Sequence, residues 1–280
     1  MQALESKDEN YTQINTPSAW ESVRTARKQD RPQAMEYIHA LTQDFFEVKG
    51  DRCLGDDDAI ITGVGRINGR SFTIIGQQKG FTIDEKKTCN FGMPNPAGYR
   101  KSMRAIRQAE KFKRPIICII DTPGAFCGVE AEAKGQGTVI AEHLQLIAGV
   151  KVPVIAVVIS EGGSGGALAL ALSDKLLLLE NSYFSVISPE GCASILFKDA
   201  NKANLAAESL KLTAADLLNL GIADDIIREK QDYSRENVSY SVYKLEKKIQ
   251  EYLEELDSYT GDELVAKRYE KLLNMKGFNH

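Results

Sequence analysis

Paired cysteines and long hydrophobic runs are missing from this sequence. The five cysteines are widely scattered, and no two have the Cys-x-x-Cys spacing of a zinc ribbon; they are Cys53, Cys89, Cys118, Cys127 and Cys192. We therefore expect no metal site in this chain. We expect the cysteines to be free thiols, as is usual in a cytoplasmic protein. The most apolar run, 152–159, is too short to cross a bilayer and has the length of a buried strand. Residues 1–10 are polar and acidic, which does not fit a secretory signal.

Nucleic acids and nucleotides are equally poorly supported as ligands. The 280 residues include 39 acidic and 35 basic side chains, which gives a net charge of −4. That balance offers no electrostatic case for binding nucleic acid or an anionic membrane. There is no Walker A loop, and no GxGxxG motif follows a predicted strand, so we expect no direct ATP site in this chain.

Histidine is scarce, which weakens a serine-hydrolase interpretation. The Gly-x-Ser-x-Gly pattern at 162–166 formally matches a nucleophile elbow, and a nucleophilic serine needs a base. Of His39, His143 and His280, only His280 follows the serine, and it is the last residue. A ClpP-like serine peptidase stays open as an alternative, although nothing selects a catalytic histidine. We expect a structural role for His143, which lies on a predicted helix.

Alternation of strands and helices predicts an α/β fold in which helices cross over a sheet. Asn68-Gly69 between two strand-like runs is a strong hairpin signal. The predicted strands are 59–67, 71–79, 115–121, 153–160, 175–179 and 183–187. The predicted helices are 16–28, one from residue 32 that includes Phe45 and Phe46, 99–113, 139–148, 165–172, 190–197 and 213–220. We divide the chain into an N-terminal helical segment (1–48), a core (49–235) and a charged C-terminal helical extension (236–280).

Two glycine-containing loops follow successive buried strands, at 121–125 and 161–167. Glycine allows the backbone to approach a ligand closely, and peptide N–H groups at a helix N-terminus point at negative charge. The pattern is typical of an oxyanion hole, in which fixed amides stabilise an oxygen that gains charge. For one loop, tight turns and close packing explain the glycines equally well. Two such loops in succession favour a functional site.

Around these loops the sequence resembles the α subunits of the carboxyltransferase component of bacterial multisubunit acetyl-CoA carboxylase. The similarity covers roughly residues 30 to 275, and motifs this long and ordered are specific. The matching motifs are 50–52 (Gly-Asp-Arg), 75–80 (Ile-Gly-Gln-Gln-Lys-Gly), 90–94 (Asn-Phe-Gly-Met-Pro), 98–101 (Gly-Tyr-Arg-Lys), 120–125, 162–168 and 185–196.

The resemblance implies a crotonase (ClpP/crotonase-like) fold, a spiral of ββα units, here with N- and C-terminal helical extensions. It implies that the chain, together with a β subunit, transfers the carboxyl group of carboxybiotin to acetyl-CoA, giving malonyl-CoA for fatty acid synthesis. The implied β chain carries the zinc ribbon and most of the acetyl-CoA site in an α2β2 assembly. The biotin carboxyl carrier protein and biotin carboxylase are the other implied partners.

The resemblance also assigns site residues. Amides around Gly165, Gly166 and Ala167, with Gly124 and Ala125 nearby, form the implied hole for the ureido oxygen of biotin. The cofactor-binding residues that it implies are Gly163, Ser164, Phe126 and Gly128. Because the biotin nitrogen itself can take the methyl proton of acetyl-CoA, no general base is required in the protein. One predicted helix is basic; its cations are Arg100, Lys101, Arg104 and Arg107, with Lys111, Lys113 and Arg114. We expect most of them to be solvated and one or two to contact CoA phosphates or acidic groups of a partner.

The sequence departs from the family pattern at two places. Fewer residues than usual precede the matching part. Where the family commonly has an aromatic-Pro-Gly-Val-Gly run after 124–125, this chain has Phe-Cys-Gly-Val-Glu at 126–130, which we expect to reshape the loop where biotin enters. Gly135-Gln136 is retained.

Besides the ClpP-like serine peptidase, two further alternatives remain open from the sequence. One is a stand-alone crotonase-like hydratase or decarboxylase, which needs a carboxylate near the loops; Glu130, Glu161 and Glu190 are the candidates. The other is a non-catalytic assembly subunit whose glycines serve packing.

Overall fold

The structure, a computed structural model, describes residues 17–230, 234–235 and 238–275. Residues 1–16 of the predicted N-terminal segment, including the expected helix start at Thr16, lie outside the described residues. In the part that is described, no helix has the length and apolar character needed to span a membrane.

One mixed sheet of eight strands organises the molecule, in the order β1-β2-β3-β4-β5-β6-β8, with β7 also paired to β5. The strands are β1 (Gln43–Glu47), β2 (Ile60–Ile67), β3 (Arg70–Gln77), β4 (Ile116–Thr122), β5 (Val154–Gly163), β6 (Lys175–Leu179), β7 (Tyr183–Ser185) and β8 (Asp225–Ile227). The first three strands pair antiparallel, and the pairs from β3 to β8 are parallel. The carboxyl ends of β3, β4 and β5 therefore meet at one edge.

Helices cover both faces of this sheet. They are α1 (Ala19–Ala26), α2 (Ala34–Leu41), α3 (Ile83–Thr88), α4 (Pro96–Lys111), α5 (Val129–Ala133), α6 (Gln136–Gly149), α7 (Ser164–Ala171), α8 (Pro189–Phe197), α9 (Ala203–Leu210), α10 (Ala214–Asn219), α11 (Val238–Leu256) and α12 (Gly261–Leu273). One apolar cluster joins the sheet to α4, α6, α7 and α10, and a second joins the opposite face to α2, α11 and α12. The α/β architecture and most of the predicted elements are confirmed.

The predicted hairpin is confirmed in detail. Ile67 pairs with Arg70, so Asn68 and Gly69 form a two-residue turn with φ of 50° and 79°. Positive φ at both positions is what a turn matching the twist of the strands requires, and Asn-Gly supplies it at low cost.

The helix predicted to run from residue 32 through Phe46 is wrong at its C-terminal end. It stops at Leu41, where the Thr42 hydroxyl donates to the Ile38 carbonyl at 2.6 Å. The next residues form strand β1 beside β2, and a side chain at Gly63 would collide with the Phe45 ring. Phe45 thus packs against a neighbouring strand, a long-range contact that outweighs its helical spacing.

Other helix boundaries differ from the predicted ones because capping residues determine where these helices begin. Helix α1 is capped by Ser18. The Ser18 hydroxyl accepts a hydrogen bond from the Glu21 N–H, and the Glu21 carboxylate accepts one from the Ser18 N–H. The predicted C-terminal helix is two helices, because Thr260 and Glu263 form the same capping box and start α12. Helices α3, α5 and α9 and strand β8 had no counterpart among the predicted elements.

The basic helix α4 is less solvated than expected. Lys101 is fully buried and its ammonium contacts Asp56 at 2.5 Å and the Asp57 carbonyl at 2.8 Å. Arg100 pairs with Asp51 at 2.8 Å, and Arg104 donates to the Gly50 carbonyl. These cations fasten 50–57 to the helix, so the expectation of solvated charges is wrong for them.

A buried arginine fastens α12 to the sheet. The Arg268 guanidinium makes two hydrogen bonds to Asp174, at 2.9 and 2.8 Å, and donates to the carbonyls of Ile147 and Val150. Arg268 is 2% exposed, so both the charge and its partner are withdrawn from water.

We expect Arg268→Met to lower the free energy of unfolding by about 3–5 kcal/mol, because it leaves Asp174 buried without its charge partner. Lys267→Met, at the exposed neighbouring position on α12, is the control and is expected to cost about 1 kcal/mol or less. Urea unfolding of both variants measures the difference. Equal midpoints for the two variants would contradict the assignment.

Candidate active site

The two glycine loops touch each other at the carboxyl ends of β4 and β5. A Cβ added to Gly163 would lie 2.1 Å from the Pro123 carbonyl oxygen, and one added to Gly166 would lie 2.4 Å from the Ala125 nitrogen. Backbone therefore packs on backbone, which side chains larger than hydrogen would prevent. The structure brings together the predicted residues of both loops, at 124–125 and 163–166.

Helix α7 begins inside the second loop. Its first-turn N–H groups, on Ser164, Gly165 and Gly166, have no acceptor within the helix, whereas the N–H of Ala167 faces the Gly163 carbonyl. Ser164 is exposed and has φ of 55°, and Gly165 is half-buried with Ile140 as the nearest neighbour of an added Cβ at 3.9 Å. The helix start is thus open to solvent at Ser164 and partly at Gly165, and a helix N-terminus is a place where anions are stabilised.

In the first loop, most amides are already engaged. The Thr122 hydroxyl accepts the Gly124 N–H at 3.0 Å and donates to the Gly92 carbonyl at 2.6 Å. The Phe126 N–H donates to the Pro94 carbonyl at 3.0 Å. Across the described part of the chain, no hydrogen bond uses the N–H of Ala125, which lies beside Gly166. The Ala125 amide is therefore left unengaged at the contact between the two loops.

The outer part of the first loop is held by a buried glutamine. Gln136 donates to the carbonyls of Pro94 and Phe126, at 2.8 and 2.9 Å, and is 3% exposed. The Phe126 ring lies against Gly128, where an added Cβ would come within 2.8 Å of it. Cys127, where the family commonly has proline, is exposed at the loop surface. The substitution leaves the Gln136 anchor in place.

Two buried residues that we did not single out hold the start of α7. Gln77 donates to the Gly166 carbonyl at 2.8 Å, and the Tyr99 hydroxyl lies 3.4 Å from the same oxygen. Both side chains are fully buried. They lie within the matching motifs 75–80 and 98–101, which was the available signal, but no pattern in the sequence pairs them with Gly166.

Lys79, two residues after the end of β3, contacts the first residue of each loop, Asp121 and Glu161. The Lys79 ammonium lies 2.6 Å from Asp121 and 2.6 Å from Glu161. Glu161 also accepts hydrogen bonds from Arg27 at 2.8 Å and from the Tyr183 hydroxyl at 2.6 Å. Burial alone would raise the pKa of Glu161, but Lys79, Tyr183 and Arg27 lower it to about 2. Burial raises the pKa of Asp121, and Lys79 offsets part of that rise.

These contacts bear on the candidate carboxylates of a stand-alone enzyme. Glu161 is bound as a permanently ionised group in an ion-pair network, which suits anchoring better than proton transfer. Glu190 pairs with Arg27 at 2.6 Å, and Glu130 is exposed on α5. Glu161 and Glu190 are thus held by cations and Glu130 lies on the surface, so the structure marks none of the three as a catalytic carboxylate.

His143 has the structural role that we expected. The Ser102 hydroxyl lies 2.9 Å from the Tyr99 carbonyl oxygen, to which it can donate, and shares a hydrogen bond of 2.6 Å with His143 Nε2. His143 is fully buried, and burial lowers its pKa to about 4. It is bonded to Ser102 rather than Ser164, and His280 lies outside the described residues. The hydrolase interpretation gains no support from this arrangement.

The low pKa of His143 predicts how stability depends on pH. Between its unfolded pKa of about 6.5 and the folded value of about 4, the unfolded chain binds more protons. Stability from this group is therefore lost as pH falls through that window, by about 3 kcal/mol in total. Urea titrations at pH 7, 5.5 and 4 on the protein and on His143→Gln measure it. An unchanged pH slope in the variant would show that another group is responsible.

Comparison with known proteins adds sequence relatives and fold relatives. The profile of the family described as acetyl co-enzyme A carboxylase carboxyltransferase-like matches residues 1–276. An acetyl-coenzyme A carboxylase carboxyl transferase subunit alpha of Clostridium perfringens is 50% identical over 263 residues, 94% of this chain and 97% of the relative. The protein of the same name from Halalkalibacterium halodurans is 48% identical, covering 93% of this chain and 80% of its own length.

Among solved structures, transcarboxylase 12S with methylmalonyl-coenzyme A matches with a TM-score of 0.67 at 20% identity, over 88% of this chain and 46% of that one. A Pseudomonas malonate decarboxylase hetero-tetramer in complex with coenzyme A also gives 0.67, at 14% identity, over 84% and 91% of the two chains. These likenesses confirm the crotonase-like α/β fold.

Among the residues that are described, no three His, Cys, Asp or Glu side chains are grouped as metal ligands.

Proposed function

The chain belongs to the acetyl-CoA carboxylase carboxyltransferase α-subunit family, and from that premise we propose that its two glycine loops form the biotin half of a shared active site. The activity is transfer of a carboxyl group to acetyl-CoA, which gives malonyl-CoA for fatty acid synthesis. The observation that carries the proposal is the contact between the loops, which places the Ala125 N–H next to the free first turn of α7.

The proposed oxyanion hole consists of main-chain donors from both loops. Gly165 and Gly166 contribute the helix start, Ala125 contributes the other side, and Gly124 and Ala167 form the packed backbone behind them. Carboxybiotin, carried by a separate protein, supplies the carboxyl group and leaves negative charge on its ureido oxygen when that group departs. Fixed amides near a helix N-terminus stabilise such charge without having to reorganise.

The rim of this site fits an entering ring system. Ser164 is exposed, Gly163 and Gly165 carry no side chain, and the half-buried Phe126 lies over Gly128 at the mouth. These residues are proposed to bind and orient the biotin ring. The methyl proton of acetyl-CoA passes to the biotin nitrogen in this proposal, so the chain needs no general base of its own.

A β subunit completes the site in this proposal, by binding acetyl-CoA and stabilising its enolate oxygen. Large apolar side chains are exposed on α8 and on the segment before it: Val186 at 77%, Ile195 at 61% and Leu196 at 61%. Exposed apolar groups of this size mark protein contacts. We propose an α2β2 assembly, with zinc on the β chain only, served by the biotin carboxyl carrier protein and biotin carboxylase. A cytoplasmic location stays a prediction, and all five cysteines are free thiols.

The half-site proposal predicts that this chain is inactive alone. We expect malonyl-CoA-dependent carboxylation of free biotin, the reverse reaction, only when the chain is mixed with its β subunit. A coupled assay for acetyl-CoA release measures each protein alone and the mixture. Full activity of the isolated chain would favour the stand-alone crotonase-like enzyme, and an inactive mixture would favour the assembly-subunit alternative.

The oxyanion hole predicts a large effect of one methyl group. In Gly166→Ala the new Cβ would lie 2.4 Å from the Ala125 nitrogen, so the two loops must separate. We expect the rate of carboxyl transfer to fall by about 10²-fold or more, as when an oxyanion donor is lost. Gly149→Ala, at the end of α6 where an added Cβ meets nothing within 4 Å, is the control and should retain full activity. A fully active Gly166→Ala enzyme would refute the proposed hole.

A further inference from the structure

Lys79 reaches the base of both active-site loops at once. Asp121 is the residue before Thr122 in the first loop, and Glu161 is the residue before Gly162 in the second. We propose that Lys79 is a positioning residue for carboxyl transfer, whose ammonium group sets the separation of the two loops by holding these carboxylates together. The inference rests on the proposed function of the loops.

The two carboxylates lie close together because the strands that carry them are paired. Thr122 is in register with Gly162, and the Glu161 N–H donates to the Asp121 carboxylate at 3.2 Å. Both side chains are buried, Asp121 at 2% exposure and Glu161 at 7%. Two like charges this close in a poorly solvated place repel strongly unless a cation lies between them. The Lys79 ammonium, 2.6 Å from each, is that cation.

The other cations near the two carboxylates have partners of their own; Arg31, whose charge also attracts Asp121, pairs with Glu229 at 2.8 Å. Glu161 also contacts Arg27 of α1 and the Tyr183 hydroxyl of β7, and Arg27 in turn pairs with Glu190 of α8. Without Lys79, Glu161 would keep these partners, whereas the ion pair to Asp121 would be lost. We therefore expect the loop at 122–128 to move more than the loop at 162–168.

Small movements matter here because the loops contact each other through backbone atoms. The proposed hole takes one donor from the first loop and two from the second, so its width depends on their separation. A misplacement of about 1 Å at a catalytic site costs about 10²-fold in rate. The polar contacts of Lys79 are to Asp121 and Glu161 and not to the proposed donors, so we expect it to act through the position of the loops.

Lys271 is a matched control for Lys79, because it is a lysine of similar exposure that forms an ion pair elsewhere in the fold. Lys271 pairs with Asp224, donates to the Asp174 carbonyl, and has a side-chain exposure of 19%, against 18% for Lys79. It joins α12 to the β6–β8 edge, away from the loops. Lys271→Met therefore removes a comparable ion pair without touching the proposed mechanism.

The experiment compares Lys79→Met, Lys79→Arg and Lys271→Met in the full chain, alone and with the β subunit. Hydrogen–deuterium exchange at 122–128 and 162–168 reports loop order, and the reverse reaction gives kcat and KM for malonyl-CoA. We expect Lys79→Met to raise exchange in both loops and to lower kcat by about 10²-fold, with KM changed by about twofold or less. A cavity of about 110 Å³ adjoins Lys79, so arginine fits, and we expect Lys79→Arg to restore kcat to within about tenfold.

The outcomes separate this inference from the proposed function. Unchanged loop exchange in Lys79→Met overturns the inference, and so does an equal loss of kcat in Lys271→Met. If Lys79→Met raises exchange in the loops but wild-type chain mixed with the β subunit transfers no carboxyl group, the positioning role of Lys79 is supported and the proposed function fails. If Lys79→Met does not fold, Lys79→Met/Glu161→Gln, which removes the repulsion but not the need for a bridge, carries the test: raised exchange at 122–128 supports the inference, and exchange as in wild type overturns it.

Discussion

The close approach of two backbone segments is the constraint on which the rest of the molecule depends. Gly163 lies against the Pro123 carbonyl and Gly166 against the Ala125 amide, at distances that leave no room for a side chain. Such contacts need a parallel strand pair in the right register beneath them and glycines in the right places above. The contact between the loops depends on the parallel pairing of the buried strands β4 and β5 and on the first turn of α7, which follows β5 directly.

Buried polar groups hold this contact from behind. Gln77 and Tyr99 reach the carbonyl of Gly166, Gln136 holds the outer part of the first loop, and Lys79 joins the carboxylates at its base. Gln77, Tyr99 and Gln136 are buried and Lys79 is half-buried, and all four are hydrogen-bonded, so displacing them would leave unsatisfied polar atoms, which is costly. The donors of the site are therefore fixed in place before a ligand arrives, as electrostatic stabilisation requires.

The sequence predicted the elements whose signals are local. The Asn-Gly hairpin, the buried strands and the two glycine loops were all readable, because each depends on residues a few positions apart. The end of α2, the burial of Lys101 and the roles of Gln77 and Lys79 were not. Those depend on partners distant in the chain, such as Gly63 for Phe45 or Glu161 for Lys79, and no spacing rule encodes such pairs.

A site built from main-chain donors suits one half of a divided reaction. Peptide N–H groups do not titrate, so they stabilise developing charge equally well over a wide pH range, and they make no demand on nearby side chains. The chemistry that needs a titrating group is left to the biotin ring and to the other chain in the proposed mechanism. What this chain contributes is then geometry. In the proposed mechanism, residues such as Lys79 and Gln77 then matter for the rate through the position of the loops that they contact, and not through contact with a substrate.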